Sequence, residues 1–214
     1  MAKILLTAGP TRAFIDDVRY LTNASSGRMA KAIAEAALAR GHEVTIVSGP
    51  VQVTYPRKAR VIPVVTTAEM LAASLAALPG ADGVIAAAAP CDFEPVHRTA
   101  GKIPRTGAGM TLKLKPTTDV IATLARRRRP GQWFVAFALE PGADPRRAFE
   151  KITAKRCDLI VVNDVTALEA DANAVAVYDA RHAHVGSKRA SKRAVAGWLV
   201  RLIETLLVDK RGLS

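Results

Sequence analysis

At 214 residues the chain is long enough to bury a core, and although half of its residues are hydrophobic, no apolar run approaches the ~20 residues that span a bilayer or has the form of an export signal. Two distant cysteines, Cys91 and Cys157, form neither a disulfide framework nor a zinc motif, so the expectation is one domain over residues 1–214 in the reducing cytoplasm. A formal charge of +12 favours anionic partners, and an aromatic share of only 5% argues against a base-stacking nucleic-acid surface.

Residues 3–7 read as a buried strand. An irregular segment rich in Gly, Pro, Asn and Ser follows, then an alanine-rich helix over 29–40 stopped by Gly41, and a second strand over 43–48. After an apolar run at 61–65, Thr66 and Glu69 have the spacing of a capping box, opening a helix that stops at Pro79-Gly80. Further strands at 83–88, 110–115, 133–138 and 159–163 are separated by helices at 119–128 and 145–155. Residues 175–178 are a candidate last strand, and Ser191 caps a helix running to about 208. This repeated order predicts an α/β fold, a Rossmann-like three-layer sandwich with a mainly parallel sheet and a long basic loop between strands.

Ligands of such sheets bind beyond the carboxyl ends of the strands, which directs attention to three segments. In the first, Ser25, Ser26 and Gly27 precede the first helix and can offer hydroxyls and free N–H groups to an anion; alternatively Ser25 or Ser26 is a simple N-cap. The segment is not a G-x-G-x-x-G fingerprint, which weakens a dinucleotide reading. In the second, the tiny side chains of Ala86, Ala87, Ala88 and Ala89 lead into Pro90-Cys91-Asp92, allowing close approach of a planar ligand. Asp92 there is either a ligand for a ribose hydroxyl or metal-bound phosphate, or a turn residue. The third is the loop 96–109 with Lys102-Ile103-Pro104-Arg105, long enough to close over a polyphosphate or else a solvated surface loop.

The run Thr7-Ala8-Gly9-Pro10-Thr11-Arg12, followed by Asp17-Val18-Arg19-Tyr20-Leu21-Thr22-Asn23 and Ser25-Ser26-Gly27-Arg28-Met29, resembles the signature of the phosphopantothenoylcysteine synthetases. These form the C-terminal half of a bifunctional flavoprotein in many bacteria. Pro116-Thr117-Thr118-Asp119-Val120-Ile121, Phe137 with Glu140, and Asp158-Leu159-Ile160-Val161-Val162-Asn163-Asp164 extend the similarity over nearly the whole chain.

The resemblance implies a stand-alone ligase that activates 4′-phosphopantothenate with CTP, or with ATP, and Mg²⁺, and passes the acyl group to the amine of cysteine. Its decarboxylase would be a separate protein. Asn23, Lys102 and Arg19 would be catalytic: Asn23 donating to the acyl-nucleotide, Lys102 countering triphosphate charge, Arg19 pairing with an anion. Arg19, Asn23 and Ala89 would contact phosphopantothenate. Nucleotide contacts would come from Ser25, Ser26, Gly27, Ala86, Ala87, Ala88, Asp92, Lys102, Thr118, Asp119, Val120, Ile121, Phe137, Lys151 and Lys155. Lys151 and Lys155, four residues apart, would share a helix face. No metal ligand is assigned, Asp92 being the one candidate. The resemblance also implies a homodimer whose basic loops reach across to the partner, and no nucleic-acid or membrane partner. Lys-Ile-Pro-Arg departs from the family's K-I-K-K, with Pro104 replacing a lysine.

The four arginines at 126–129 read as a solvated helix end, both cysteines as small buried side chains, and no histidine pairing suggests a metal. The competing functional readings are a Rossmann-like flavin or NADP reductase and a basic nucleic-acid-binding module.

Overall fold

The computed structural model describes residues 1–107, 109–140, 145–163 and 172–209. In chain order its elements are β1 (Lys3–Ala8), β2 (Arg12–Phe14), β3 (Tyr20–Thr22), α1 (Arg28–Ala39), β4 (Glu43–Ser48), β5 (Arg60–Pro63) and α2 (Thr67–Ala77). After a 3-10 turn at Leu78–Gly80 come β6 (Gly83–Ala86), β7 (Phe93–Pro95), β8 (Leu114–Pro116), α3 (Val120–Arg126), β9 (Trp133–Leu139) and α4 (Pro145–Lys155). β10 (Leu159–Asn163), β11 (Ala172–Asp179), β12 (His184–Ser191) and α5 (Lys192–Ile203) follow, the last continuing into a π-helical turn at Glu204–Val208.

Alternation along β1 sets the layering. Ile4, Leu6 and Ala8 are buried on one face of the sheet and Leu5 on the other, so the strand needs cover on both sides. α1 and α5 cover the first face with Ile33, Ala34, Ala37, Leu199 and Ile203; α2, α3 and α4 cover the second with Met70, Ile121, Leu124 and Ile152. Each fully buried Leu or Ile contributes about 1.5–3 kcal/mol through loss of water contact. Thr66 caps α2 by accepting the Glu69 N–H while the Glu69 carboxylate takes the Thr66 N–H, the capping box read from the sequence. Gly83 pairs with Trp133 across β6 and β9, and a Cβ there would stand 2.0 Å from the indole.

The main sheet has eight strands in the order β12-β11-β10-β9-β6-β1-β4-β5. β10 through β5 are parallel and β11 and β12 close one edge antiparallel, in accord with the expected mainly parallel α/β sandwich. Among the described residues no helix is long and apolar enough to cross a membrane.

Several local expectations change. The irregular segment after β1 holds an antiparallel hairpin, β2–β3, tied by Arg12 over the Tyr20 ring at 4.3 Å and an edge contact of Phe14 with Tyr20. The strand expected at 110–115 shrinks to β8, which leaves the main sheet and pairs with β7 in a two-stranded ribbon. Its Leu114 and Lys115 are exposed, so the ribbon has no buried layer that would extend the strand over 110–115. β6 ends at Ala86, and β12 is an additional edge strand.

The expected solvated arginine run is partly structural. Arg128 lies over the Phe134 ring and 3.4 Å from Asp158, and Arg129 donates to the Pro79 carbonyl. Both cysteines are buried.

Candidate functional site

From β1 the chain moves outward through β4 and β5, whereas β6, β9 and β10 lie on the other side of β1, so the strand order reverses between β1 and β6. The loops leaving these two strands part there and form a crevice. They first run on together: the Ala87 N–H donates to the Thr7 carbonyl at 3.1 Å and the Ala89 N–H to the Gly9 carbonyl at 2.9 Å. Beyond them, the buried Thr11 hydroxyl accepts the Cys91 N–H at 2.8 Å and meets the Thr67 hydroxyl at 2.8 Å. The Thr117 hydroxyl donates to the Cys91 carbonyl at 2.6 Å, and the Thr117 N–H to the Asp92 carbonyl at 2.9 Å. Cys91 is therefore a packed structural residue, and this network fixes the turn that exposes Asp92.

A slot of about 120 Å³ lies between the ends of β6 and β9 and the start of α3. Ala86, Ala88 and Phe137 wall one side of it, and Thr118, Asp119, Val120 and Ile121 the other. Asp119 caps α3 by accepting the Ala122 N–H at 2.9 Å, and its second oxygen pairs with Lys155 at 3.1 Å. The small side chains of Ala86 and Ala88 let a ligand come close to the backbone at the end of β6.

This slot opens into a chamber of about 460 Å³ that shares Ala88, Asp92, Phe137 and Lys155 with it. The chamber adds Ala87 and Ala89 from the β6 loop, Asn23 to Gly27 from the β3–α1 loop, and Lys151 from α4. Lys151 and Lys155 thus line one cavity, as their spacing suggested. Lys151 donates to the Glu140 carboxylate, which is only 2% exposed.

Of the two readings of the segment before α1, the simple serine N-cap is not what the structure has. Its N-cap is Gly27, at φ 72°, with no side-chain cap; neither Ser25 nor Ser26 takes that role. A left-handed N-cap favours glycine, and a first turn without a side-chain cap can offer backbone N–H groups such as those of Met29 and Ala30 to a ligand. Met29 and Ala30 of that turn border the chamber.

Asn23 directs its Nδ2 at the carbonyl oxygens of Ala89, 3.2 Å away, and Pro90, 2.8 Å away. The amide donors expected to serve an oxyanion are engaged in this bridge, and the amide oxygen remains for a ligand. Arg28, Lys192 and Asn163 also line the chamber, so that among the described residues its lining has four basic side chains and one carboxylate, that of Asp92. Sequence reasoning gave none of these three a site role, although Arg28 and Asn163 fall within the signature runs. Asn163, a polar residue ending a buried strand, carried a usable signal; Lys192, the first residue of α5, carried none.

Arg19 and Lys102 stand apart, lining neither the slot nor the chamber. Arg19 is bonded to the buried Asp16 and to the Ile103 carbonyl, and Lys102 is exposed. Among the described residues no group of three or more His, Cys, Asp or Glu is arranged to hold a metal ion. A Mg²⁺ carried in by phosphates would find Asp92 as its protein carboxylate, which suits a cation that keeps most of its ligands from water and phosphate.

Residues 1–207 match the family model described as the DNA/pantothenate metabolism flavoprotein C-terminal domain. The coenzyme A biosynthesis bifunctional protein CoaBC of Bacillus subtilis (strain 168) is 41% identical over 180 residues, which is 82% of this chain and 44% of that protein. A cysteine/cysteine sulfinic acid decarboxylase from an unknown prokaryotic organism is 37% identical over 210 residues, 96% of this chain and 58% of that protein. The chain thus spans about half the length of the curated relatives it matches. The crystal structure of the C-terminal domain of a CoaBC protein aligns with a TM-score of 0.81 at 33% identity, covering 97% of this chain and 98% of that one.

Proposed function

The chain belongs to the DNA/pantothenate metabolism flavoprotein C-terminal domain family, and from that premise we propose that it is a cytoplasmic ligase joining the carboxylate of 4′-phosphopantothenate to the amine of cysteine. CTP is the favoured cosubstrate over ATP, with Mg²⁺ bridging its phosphates. The observation that carries this reading is the slot opening into a chamber lined by basic side chains at the strand switch point, beside the N-terminus of α1, which has no side-chain cap.

In the first step a carboxylate oxygen of the acid attacks the α-phosphorus, the bond to the β-phosphate breaks, and pyrophosphate leaves. The slot takes the base, while the α1 N-terminus with Lys151 and Lys155 faces the phosphates and lowers the cost of their charge. Lys102 adds a positive charge as pyrophosphate departs. In the second step the cysteine amine attacks the acyl carbon, the nucleoside monophosphate leaves, and the amine loses a proton. The Asn23 amide oxygen suits an acceptor for that amine.

A homodimer is part of the proposal. Val18, Phe93, Met110 and Leu114 are exposed by 58%, 55%, 53% and 41% on the hairpin turn, the ribbon and the loop between β7 and β8, and β2 packs beside β7. These apolar side chains are candidates for burial against a second copy, which would bring Arg19 and Lys102, absent from their own chamber, to the partner's.

The test is pyrophosphate release with Mg²⁺, CTP or ATP, and 4′-phosphopantothenate, with and without cysteine. Release that depends on the acid and is lost in Lys102→Gln is expected; no release with either nucleotide overturns the reading and leads to flavin, NADP and oligonucleotide binding assays. Sedimentation of the purified chain as a monomer at assay concentration would remove the dimer.

A further inference from the structure

The loop bearing Lys102 is held at its base by two carboxylates 84 to 87 residues away in sequence. Asp16, in the turn of the β2–β3 hairpin, is completely buried. Its Oδ1 accepts the N–H groups of Val18 at 2.9 Å and Arg19 at 2.7 Å, which closes the turn. Its Oδ2 does something the turn does not need: it accepts the Ile103 N–H at 3.1 Å and the Arg19 Nε–H at 2.9 Å. Arg19 then donates from Nη2 to the Ile103 carbonyl at 2.7 Å. Both peptide groups of Ile103 are thereby fixed by one ion pair.

Asp17 repeats the arrangement on the other side of the lysine. Its carboxylate accepts the Gly101 N–H at 2.7 Å, and its own N–H donates to the Gly101 carbonyl at 3.0 Å. Its second oxygen pairs with Arg98 at 2.8 Å, and Thr99 donates to the Ile15 carbonyl at 3.0 Å. Lys102 lies between these two anchored residues, with no ion pair of its own among the described residues. The Arg19 guanidinium and the Gly101 and Ile103 N–H groups hold both carboxyls below the usual carboxylate range, so the clamp remains ionised at neutral pH.

We infer that Asp16 and Asp17 are positioning residues for Lys102: by fixing the backbone on either side they present its ammonium as a charge set in place before the phosphates arrive. This rests on the reading of Lys102 as the group that counters triphosphate charge. Charge held in advance stabilises a transition state more than charge that must be gathered, because reorganisation is complete before reaction. Arg19 is accordingly part of the clamp in addition to the anion pairing expected from the sequence.

The experiment measures single-turnover pyrophosphate release for the full chain and for Asp17→Asn, Asp16→Asn, Lys102→Gln and the Asp17→Asn/Lys102→Gln double variant. Asp17 is half-exposed, so its variant is the one expected to fold without difficulty. Asp17→Asn should lower the rate at saturating nucleotide by about tenfold, with KM nearly unchanged, and should slow Lys102→Gln no further. Hydrogen exchange of the Gly101 and Ile103 amides should quicken in the aspartate variants while that of the β1 and β6 amides does not.

If Asp17→Asn runs at the full rate, or slows Lys102→Gln as much as it slows the unaltered chain, the positioning role is overturned and the reading of Lys102 itself stands. A full rate for Lys102→Gln itself removes the underlying reading of Lys102 and the clamp's purpose with it.

Discussion

Asn23 joins the two loops that leave β1 and β6 by directing its amide nitrogen at the Pro90 carbonyl oxygen, 2.8 Å away, with the Ala89 carbonyl at 3.2 Å. Only the nitrogen can face two acceptors, so the orientation of the amide follows from its partners. Its oxygen is then left to accept from a ligand N–H in a residue that lines the chamber. The residue both spans the crevice and offers it an acceptor.

Asn23→Asp places a carboxylate oxygen against those two carbonyls, and the turn at Ala89 and Pro90 should move away from it. Formation of the acyl-nucleotide should largely survive, whereas transfer to cysteine should slow by about a hundredfold. Rapid-quench experiments with radiolabelled CTP would then show the acyl-nucleotide accumulating. Equal slowing of both steps would argue that Asn23 only shapes the crevice.

The pair formed by Lys151 and Glu140 joins a partly exposed cation to a buried carboxylate. Lys151→Met leaves that carboxylate unpaired; breaking a wholly buried pair costs about 3–5 kcal/mol, and solvent at the lysine end reduces this to about 1–2 kcal/mol. Tm should fall by about 3–6 °C. Adding Glu140→Gln should restore Tm without restoring nucleotide affinity, because the lysine also lines the chamber. Recovery of both would reduce Lys151 to a structural role.

Much of the sheet was legible because its strands, like Leu159–Asn163, are apolar at nearly every position, and its helices carry local signals such as the Thr66–Glu69 box. β12 was not, because an edge strand carrying His184, Lys188 and Arg189 has no buried face to impose alternation. The same contrast holds in the site. Ala86, Ala88, Thr118, Ile121 and Phe137 line one slot because they lie near the carboxyl ends of β6 and β9 or at the start of α3, positions that sequence order exposes. The attachment of Arg19 to Ile103 depends on a hydrogen bond between residues 84 apart, and nothing local to either residue announces it.

Burial pushes the Cys157 thiol up to about 12, and Cys91 is 5% exposed with its thiol directed at the Thr11 carbonyl. At pH 8 the thiolate fraction of Cys157 is about a thousandfold below that of a free cysteine. Native protein should therefore react slowly with a disulfide reagent, and guanidinium should release two thiols at once. A fast-reacting thiol in the native state would contradict the packing of the Cys91 turn or of the α4–β10 connection.

Gly27 tests whether the start of α1 is an anion site or merely a tight turn. Its φ of 72° is the left-handed conformation, and a Cβ there would stand 2.8 Å from Cγ1 of Val51. Gly27→Ala should cost about 1–2 kcal/mol for the backbone alone, and moving Val51 aside would turn the first N–H groups of the helix away from the chamber. Nucleotide Kd should rise by about tenfold, more than the loss of stability explains. Thr66→Ala, which removes the capping box of α2, supplies the comparison: it should cost about 1 kcal/mol and leave nucleotide affinity unchanged. Equal losses of affinity in the two variants would mean that general destabilisation, rather than the uncapped helix end, governs binding.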